Sequence, residues 1–357
     1  MVIVRAPVRI SFGGGGTDLA AYYEQFGGLV VSTAITRYCY VIANRRKDGC
    51  INISSADYHV WETCERGTVP EIAAPLALPK AAIRWLTEQG LLESVGGVDL
   101  FLASDVPPGT GLGSSSAMAV ALISALTALA GLQMTAAEAA ELACHLEIER
   151  LHMPIGKQDQ HASATGGLNT IEFMREGVQV TPLELPGDVI SSLNARLLLF
   201  ATGQTRDSAD ILGQQREDTQ KKPKTIESLH RIKALAIEMR EALLRGDLDG
   251  FGQLLDEGWR EKKGLSHKVS SETIDQWYEV ARQAGAIGGK ITGAGGGGFL
   301  LLYCPQACQQ AVRKALEVFG LKEMSFDLDF VGVQVLSQVD FQEAAGGSDV
   351  AGVAFMG

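Results

Sequence analysis

The segment Val106-Pro-Pro-Gly-Thr-Gly-Leu-Gly-Ser-Ser-Ser-Ala117 contains the residue types that hold phosphate. Gly109, Gly111 and Gly113 alternate with small or apolar residues. Ser114, Ser115 and Ser116 then lead into an apolar run, Met118 to Ala130. Glycines let backbone N–H groups crowd around an anion with no Cβ in the way. A helix starting at the serines adds unpaired N–H donors and the positive end of its dipole. Loop and helix together predict a phosphate cradle. The serine hydroxyls add hydrogen bonds to phosphate, or a ligand for a hard cation such as Mg²⁺. No Gly-Lys-Ser/Thr follows, so this is not a Walker A loop. Ser114 stands where a dinucleotide fingerprint needs its third glycine. The plainer alternative is a glycine-rich turn that only starts a core helix.

Two further glycine loops lie far away in the chain. The β-branched run Val2 to Phe12 ends in Gly13 to Gly16, followed by Thr17-Asp18. Gly288-Gly-Lys-Ile-Thr-Gly-Ala-Gly-Gly-Gly-Gly-Phe-Leu-Leu-Leu-Tyr303 reads as strand, glycine loop, strand. Loops bounded by strands are where sites are commonly built. A fourth segment, residues 154–167, is polar and bounded by glycines.

The elements that must position these loops follow from pattern. Strands are expected over 2–12, 29–43, 50–54, 98–103, 197–201 and 326–336, with a hairpin turn at Asp48-Gly49. Helices are expected over 19–26, 79–89, 117–130, 135–151, 208–222, 225–245, 249–263, 272–284 and 305–319. Thr135 and Glu138 form a capping box. Strands and helices do not alternate strictly, so the class is α+β. The 357 residues are long for one core. The expected division is 1–190, 191–336 and an unassigned tail, 337–357.

Lys plus Arg number 31 against 42 Asp plus Glu, a net charge of −11. Such an acidic chain is a poor binder of nucleic acid or of membrane surfaces. The six cysteines form no CxxC pair, and the N-terminus has no signal-peptide pattern, which fits a cytoplasmic protein. The Ala117 to Ala130 run is too short to span a bilayer.

The loops taken together resemble the GHMP superfamily of small-molecule kinases. Ala6-Pro-Val-Arg9 with Thr17-Asp18 resembles its first motif, and Pro107 to Ser116 its second. Lys290-Ile-Thr-Gly-Ala-Gly-Gly-Gly-Gly298 resembles its third, in the same order. In galactokinases the first motif reads Gly-Glu-His-Thr-Asp; here it is Gly14-Gly-Gly-Thr-Asp18. That form is similar to bacterial D-glycero-D-manno-heptose 7-phosphate kinases, as are Gly156-Lys-Gln-Asp-Gln160 and Trp259-Arg-Glu-Lys-Lys263. Thr202-Gly-Gln-Thr-Arg206 resembles a segment shared by those enzymes and L-fucokinases.

The resemblance implies a two-domain GHMP fold with the active site between the domains. It implies ATP- and Mg²⁺-dependent phosphorylation of the anomeric hydroxyl of a small-molecule sugar phosphate, with heptose 7-phosphate becoming the 1,7-bisphosphate. An L-fucokinase-like enzyme acting on a free sugar, or a non-catalytic sugar sensor, is the alternative. Pro107, Gly109, Gly111, Leu112, Gly113, Ser114, Ser115 and Ser116 would hold the nucleotide. Ser115 and Glu149 would hold the metal. Glu147, two residues from Glu149, is expected on another face of the helix. Asp159 would act on the acceptor hydroxyl, with Arg9 beside it.

Gly15, Gly16, Thr17, Asp18, Gly293, Gly295 and Gly296 would line the acceptor site, the last three closing over it. Lys157, Arg206, Lys262 and Lys263 are the candidate partners for a distal phosphate. Each role has a plain counterpart. Asp159 and Asp18 also suit loop or helix caps, and Glu149 and the lysines suit solvated helix faces. Oligomeric state is open, a homo-oligomer included.

Overall fold

The computed structural model describes residues 1–68, 70–204 and 208–338, without side-chain placement at 93, 94, 208 and 209. The β-branched opening forms β1 (Val2–Gly13), followed through the glycine turn by α1 (Ala20–Phe26). β2 (Gly28–Arg45), β3 (Ile51–Ser55) and β4 (Val60–Cys64) come next. Then follow α2 (Ala77–Glu88), a short α3 (Leu92–Val95) and β5 (Val98–Ser104). β5 delivers the chain to the serine-glycine loop and α4 (Ser114–Leu129).

The predicted capping box starts α5 (Ala136–Cys144): Thr135 Oγ1 accepts from Glu138 N, and Glu138 accepts from Thr135 N. The expected single helix over 135–151 is interrupted. α5 passes into a π-helical turn, His145–Arg150, with the Leu151 N–H bonding back to the Leu146 carbonyl at 3.0 Å. Within the polar segment 154–167 lies α6 (Gln158–Thr165). The hairpin β6 (Leu168–Met174) and β7 (Gly177–Pro182) and the helix α7 (Gly187–Asn194) were not anticipated.

The second half contains β8 (Leu197–Ala201), α8 (Ser208–Lys221), α9 (Pro223–Leu244), α10 (Leu248–Leu265) and α11 (Glu272–Gln283). β9 (Gly288–Ile291), β10 (Phe299–Tyr303), α12 (Gln306–Glu317), β11 (Lys322–Glu323) and β12 (Gln334–Gln338) complete it.

Two sheets organise these elements. The first has the order β12-β1-β2-β5-β3-β4, with β6 pairing β2 and β7 pairing β6. β2 serves as its spine, pairing β6 with its first part and β5 with its second while β1 runs along it. The second sheet is antiparallel, ordered β11-β8-β10-β9. The strand expected over 326–336 starts later, at Gln334, and pairs with β1 in the first sheet. The last described strand thus returns to the first half of the chain.

β8 and β10 are continuous apolar runs because both faces of their sheet are covered. Leu197 and Leu199 face one core with Phe12 and Phe251, while Leu198 and Phe200 face another with Trp259 and Trp277. The alternation is the two-residue period of a strand. The first of these cores joins the halves. Val8, Ile10 and Phe12 of β1 share it with β8, β10, α9 and α10, and the Phe12 ring meets Phe251 edge-on at 5.2 Å. A further core lies under the first sheet, where α4 is apolar on nearly every side and mostly buried after its first turn. Among the described residues no helix is long and apolar enough to cross a membrane. All six cysteines are free.

Candidate active site

Arg9 lies in the middle of β1 and is almost fully buried. A buried guanidinium must find partners for its donors. Its Nε and Nη2 donate to the two Asp159 carboxylate oxygens at 2.8 and 2.7 Å. Its Nη1 donates to the Gly111 carbonyl at 2.8 Å, and its backbone N–H to the Leu112 carbonyl at 2.9 Å. Arg9 therefore ties β1, the serine-glycine loop and the first turn of α6 together. Asp159 stands on that first turn. Its carboxylate lies over Gly113, where a Cβ would come within 3.1 Å of it.

The serine-glycine loop turns through Gly109, Gly111 and Gly113, each with positive φ. Gly113 is the N-cap of α4 and brings no side-chain hydrogen bond. The first N–H groups of α4 are thus not capped by a side chain, as an anion site requires. A cavity of about 450 Å³ opens here. Gly109, Gly111, Gly113 and the three serines line it, with Arg9 and Asp159. Pro107 and Leu112 do not: Leu112 is buried in the core that joins the halves, and Pro107 accepts a hydrogen bond from Thr110 Oγ1.

Tyr58, Pro75, Leu78, Pro79 and Val106 give part of its wall an apolar character. The wall also takes Gly15, Gly16 and Asp18 from the first half, and Leu212, Gln215, Lys262, Gly293 and Ala294 from the second. The cavity therefore runs between the halves.

Asp18 is buried. Its Oδ1 accepts from Gly16 N at 2.9 Å, and its Oδ2 accepts from Gln158 Nε2 at 3.0 Å. It does not cap α1, whose N-cap is Leu19. Burial pushes its pKa up, the Asp159 charge pushes it further, and backbone hydrogen bonds oppose both. Thr17 is structural: its hydroxyl donates to the Gly14 and Leu29 carbonyls and does not reach the cavity.

The third glycine loop is positioned by backbone contact. Gly293 packs on Gly111, where a Cβ would sit 2.5 Å from the Gly111 Cα, and Thr292 Oγ1 donates to the Thr110 carbonyl at 3.1 Å. Gly293 reaches the cavity. Gly295 and Gly296 do not: they pack on Val269, whose carbonyl accepts from Gly296 N at 2.7 Å. The loop thus buttresses the phosphate loop, with only its first residues at the cavity wall.

The metal pairing expected from the sequence needs correction. Glu149 is exposed and bonds His145 Nδ1 at 2.8 Å. Glu147 is fully buried: its Oε1 accepts from Ser115 Oγ at 2.7 Å, and its Oε2 from Gln160 Nε2 at 2.6 Å. The physical reason is the π-helical turn over 145–150, which shifts the face each residue presents. Burial raises the Glu147 pKa to about 7, against the pull of its hydrogen bonds. Among the described residues no cluster of three His, Cys, Asp or Glu side chains exists to hold a metal. Ser115 and Glu147 fit a hard cation that takes its remaining ligands from phosphate and water.

The candidate lysines divide. Lys157 turns to Glu141 at 3.3 Å, and Lys263 to Asp275 at 2.9 Å, so neither is at the cavity. Arg206 lies outside the described residues. Lys262 is buried at the cavity wall and donates to the Gly293 carbonyl. Desolvation lowers its pKa to about 8, helped by Arg9 and opposed by Asp18 and Asp159. Lys290, not singled out for a role by sequence, is buried behind it and donates to the Ser11 and Phe12 carbonyls at 2.9 and 3.2 Å. Gln158, next to Asp159 in sequence, was also missed as the partner of Asp18.

Comparison with known proteins gives the family. The N-terminal domain pattern of the GHMP kinases matches residues 77–167, and the C-terminal pattern matches residues 239–320. A D-glycero-alpha-D-manno-heptose 7-phosphate kinase of Campylobacter jejuni is 34% identical over 331 residues, 91% of this chain and 95% of that one. A bifunctional fucokinase/GDP-fucose pyrophosphorylase of Arabidopsis thaliana is 30% identical over 335 residues, 88% of this chain but 31% of that one. The crystal structure of a D-glycero-D-manno-heptose 1-phosphate kinase from Bacteroides thetaiotaomicron superposes with a TM-score of 0.79 at 28% identity, covering 95% of this chain and all of that one. Fold, loops and relatives agree: this chain belongs to the GHMP kinase family and is a phosphotransferase that uses ATP.

Proposed function

We propose that the chain transfers the γ-phosphoryl group of ATP to the anomeric hydroxyl of a sugar phosphate, D-glycero-D-manno-heptose 7-phosphate, giving the 1,7-bisphosphate. One observation carries the reading. The Arg9–Asp159 pair stands beside an α4 N-terminus with no side-chain cap, in a cavity that also holds a buried acceptor-side carboxylate, Asp18. Phosphoryl transfer depends mostly on positioning and charge, and these groups supply both.

The apolar part of the cavity wall suits a nucleobase. The N–H groups of residues 109–116 cradle its phosphates. Asp159, held in place by Arg9, accepts a hydrogen bond from the acceptor hydroxyl. As that oxygen bonds to the γ-phosphorus, the bond to the β,γ-bridging oxygen breaks. ADP leaves, and the hydroxyl proton passes to Asp159. Arg9 neutralises part of the charge on the transferring group. Ser115 and Glu147 would hold Mg²⁺, which would neutralise further charge on the nucleotide phosphates. Asp18 accepts hydrogen bonds from sugar hydroxyls, and Lys262 faces the anionic part of the acceptor.

A second reading, a fucokinase-like enzyme acting on a free sugar, is favoured by the ion pairs of Lys157 and Lys263, which remove two cations from a distal phosphate. Kinetics with heptose 7-phosphate, mannose, fucose and galactose under identical conditions separate the two. The 7-phosphate should have the highest kcat/KM. A free sugar that exceeds it gives the second reading its place.

The exchange of Glu149 for Glu147 has its own test. Glu147→Gln should raise the Mg²⁺ concentration for half-maximal rate by about 10-fold or more. Glu149→Gln should leave it unchanged. A shift in Glu149→Gln alone would restore the other assignment.

Lys262 predicts a pH dependence. Its folded pKa, about 8, lies below the ordinary lysine value, so its charge is present at neutral pH and lost as pH rises through about 8. The same depression costs folding stability at neutral pH, a cost relieved between pH 8 and 10.5. KM for the phosphosugar should rise above pH 8 while KM for ATP stays level. Lys262→Arg keeps its charge and should flatten that rise. Matching alkaline profiles in wild type and variant would remove Lys262 from acceptor binding.

A further inference from the structure

Three buried polar atoms on the acceptor side have no hydrogen-bond partner: Ser11 Oγ, Gln158 Oε1 and Gln215 Nε2. All three residues line the cavity. They also surround the same two glycines. A Cβ on Gly15 would lie 3.7 Å from Ser11 Oγ and 3.8 Å from Gln158 Nε2, and one on Gly16 would overlap Gln215 Nε2. Buried polar groups are nearly always paired. Three orphans on residues of one cavity wall, beside the buried Asp18 carboxylate, make a hydrogen-bonding set that small side-chain turns would present to a ligand. It comprises a hydroxyl, a carbonyl acceptor, an amide donor and an anionic acceptor. Adjacent hydroxyl groups, each able to donate and accept, satisfy such a set.

Gln215 differs from the other members in origin. It comes from α8, in the second half of the chain, whereas Ser11 and Gln158 belong to β1 and α6. Its amide reaches across the cleft into space that exists because residue 16 has no side chain. Gly16 also has φ +98, where other residues are strained. The glycine at 16 and the glutamine at 215 are therefore a matched pair.

We infer that Gln215 determines acceptor specificity: α8 carries its amide over Gly16 to donate to one acceptor hydroxyl, beside Ser11 and Gln158. The assignment rests on the kinase reading and adds to it the residue from the second half that reads the sugar. Acceptor binding then bridges α8 to the Gly14–Asp18 turn, while the nucleotide touches neither.

Steady-state kinetics of Gln215→Ala and Gln215→Met test it, using whichever of the four sugars the wild type turns over best. Gln215→Met keeps the length of the side chain and fills the space if the alanine variant is unstable. In both, the acceptor KM should rise about 3- to 10-fold, the loss of one neutral hydrogen bond. The KM for ATP should stay within about 2-fold. Monodeoxy analogues add a sharper readout. One of them should lose against wild type the same factor that the variants lose, and should show no further loss with the variants. An unchanged acceptor KM, equal rises for both substrates, or independent losses for every analogue would overturn the role of Gln215 and leave the kinase reading intact. A wild type that phosphorylates none of the sugars would overturn both.

Discussion

Arg9 carries a charge in the interior of a strand, and the site is built around satisfying it. Its donors go to Asp159 twice and to the Gly111 carbonyl once. Burying an ion is costly unless partners of good geometry surround it, and a two-point arginine–carboxylate pair is among the strongest such arrangements. Removing either partner would leave an uncompensated charge beside the phosphate loop. The pair therefore fixes where α6 begins, where the loop turns, and where Asp159 faces the cavity.

Close backbone contact between glycine loops provides the remaining precision. A Cβ on Gly293 would clash with Gly111 and one on Gly111 with the Thr292 carbonyl, and Gly298 packs on the Thr110 carbonyl. These contacts lock the phosphate loop to β9 and β10, and the shared core of Phe12, Phe251 and Leu199 holds the halves behind it. The cavity draws its wall from both halves. The serine-glycine loop comes from one, and Lys262 and Gln215 come from the other.

Much of this was legible in the sequence. Glycines at close contacts and serines at an open helix start are read from local spacing, and β8 and β10 betray themselves as unbroken apolar runs. Arg9 and Asp159 were reached only through resemblance, because 150 residues separate them. What failed to show depended on phase or on distant partners. Glu147 faces Ser115 because a π-helical turn breaks the regular helix phase, and no composition signal marks that turn. Lys157 and Lys263 look like free cations until Glu141 and Asp275 appear opposite them. β12 carries no pattern that names β1 as its neighbour.

In the proposed reaction the carboxylate held by Arg9 acts on the acceptor hydroxyl. Single-turnover phosphoryl transfer by Asp159→Asn, with ATP binding measured on the same protein, tests it most directly. ATP affinity should stay near normal while the transfer rate falls by about 10²–10⁴-fold, the range for a lost general base. A folded Asp159→Asn protein that transfers phosphate at close to the wild-type rate would contradict it.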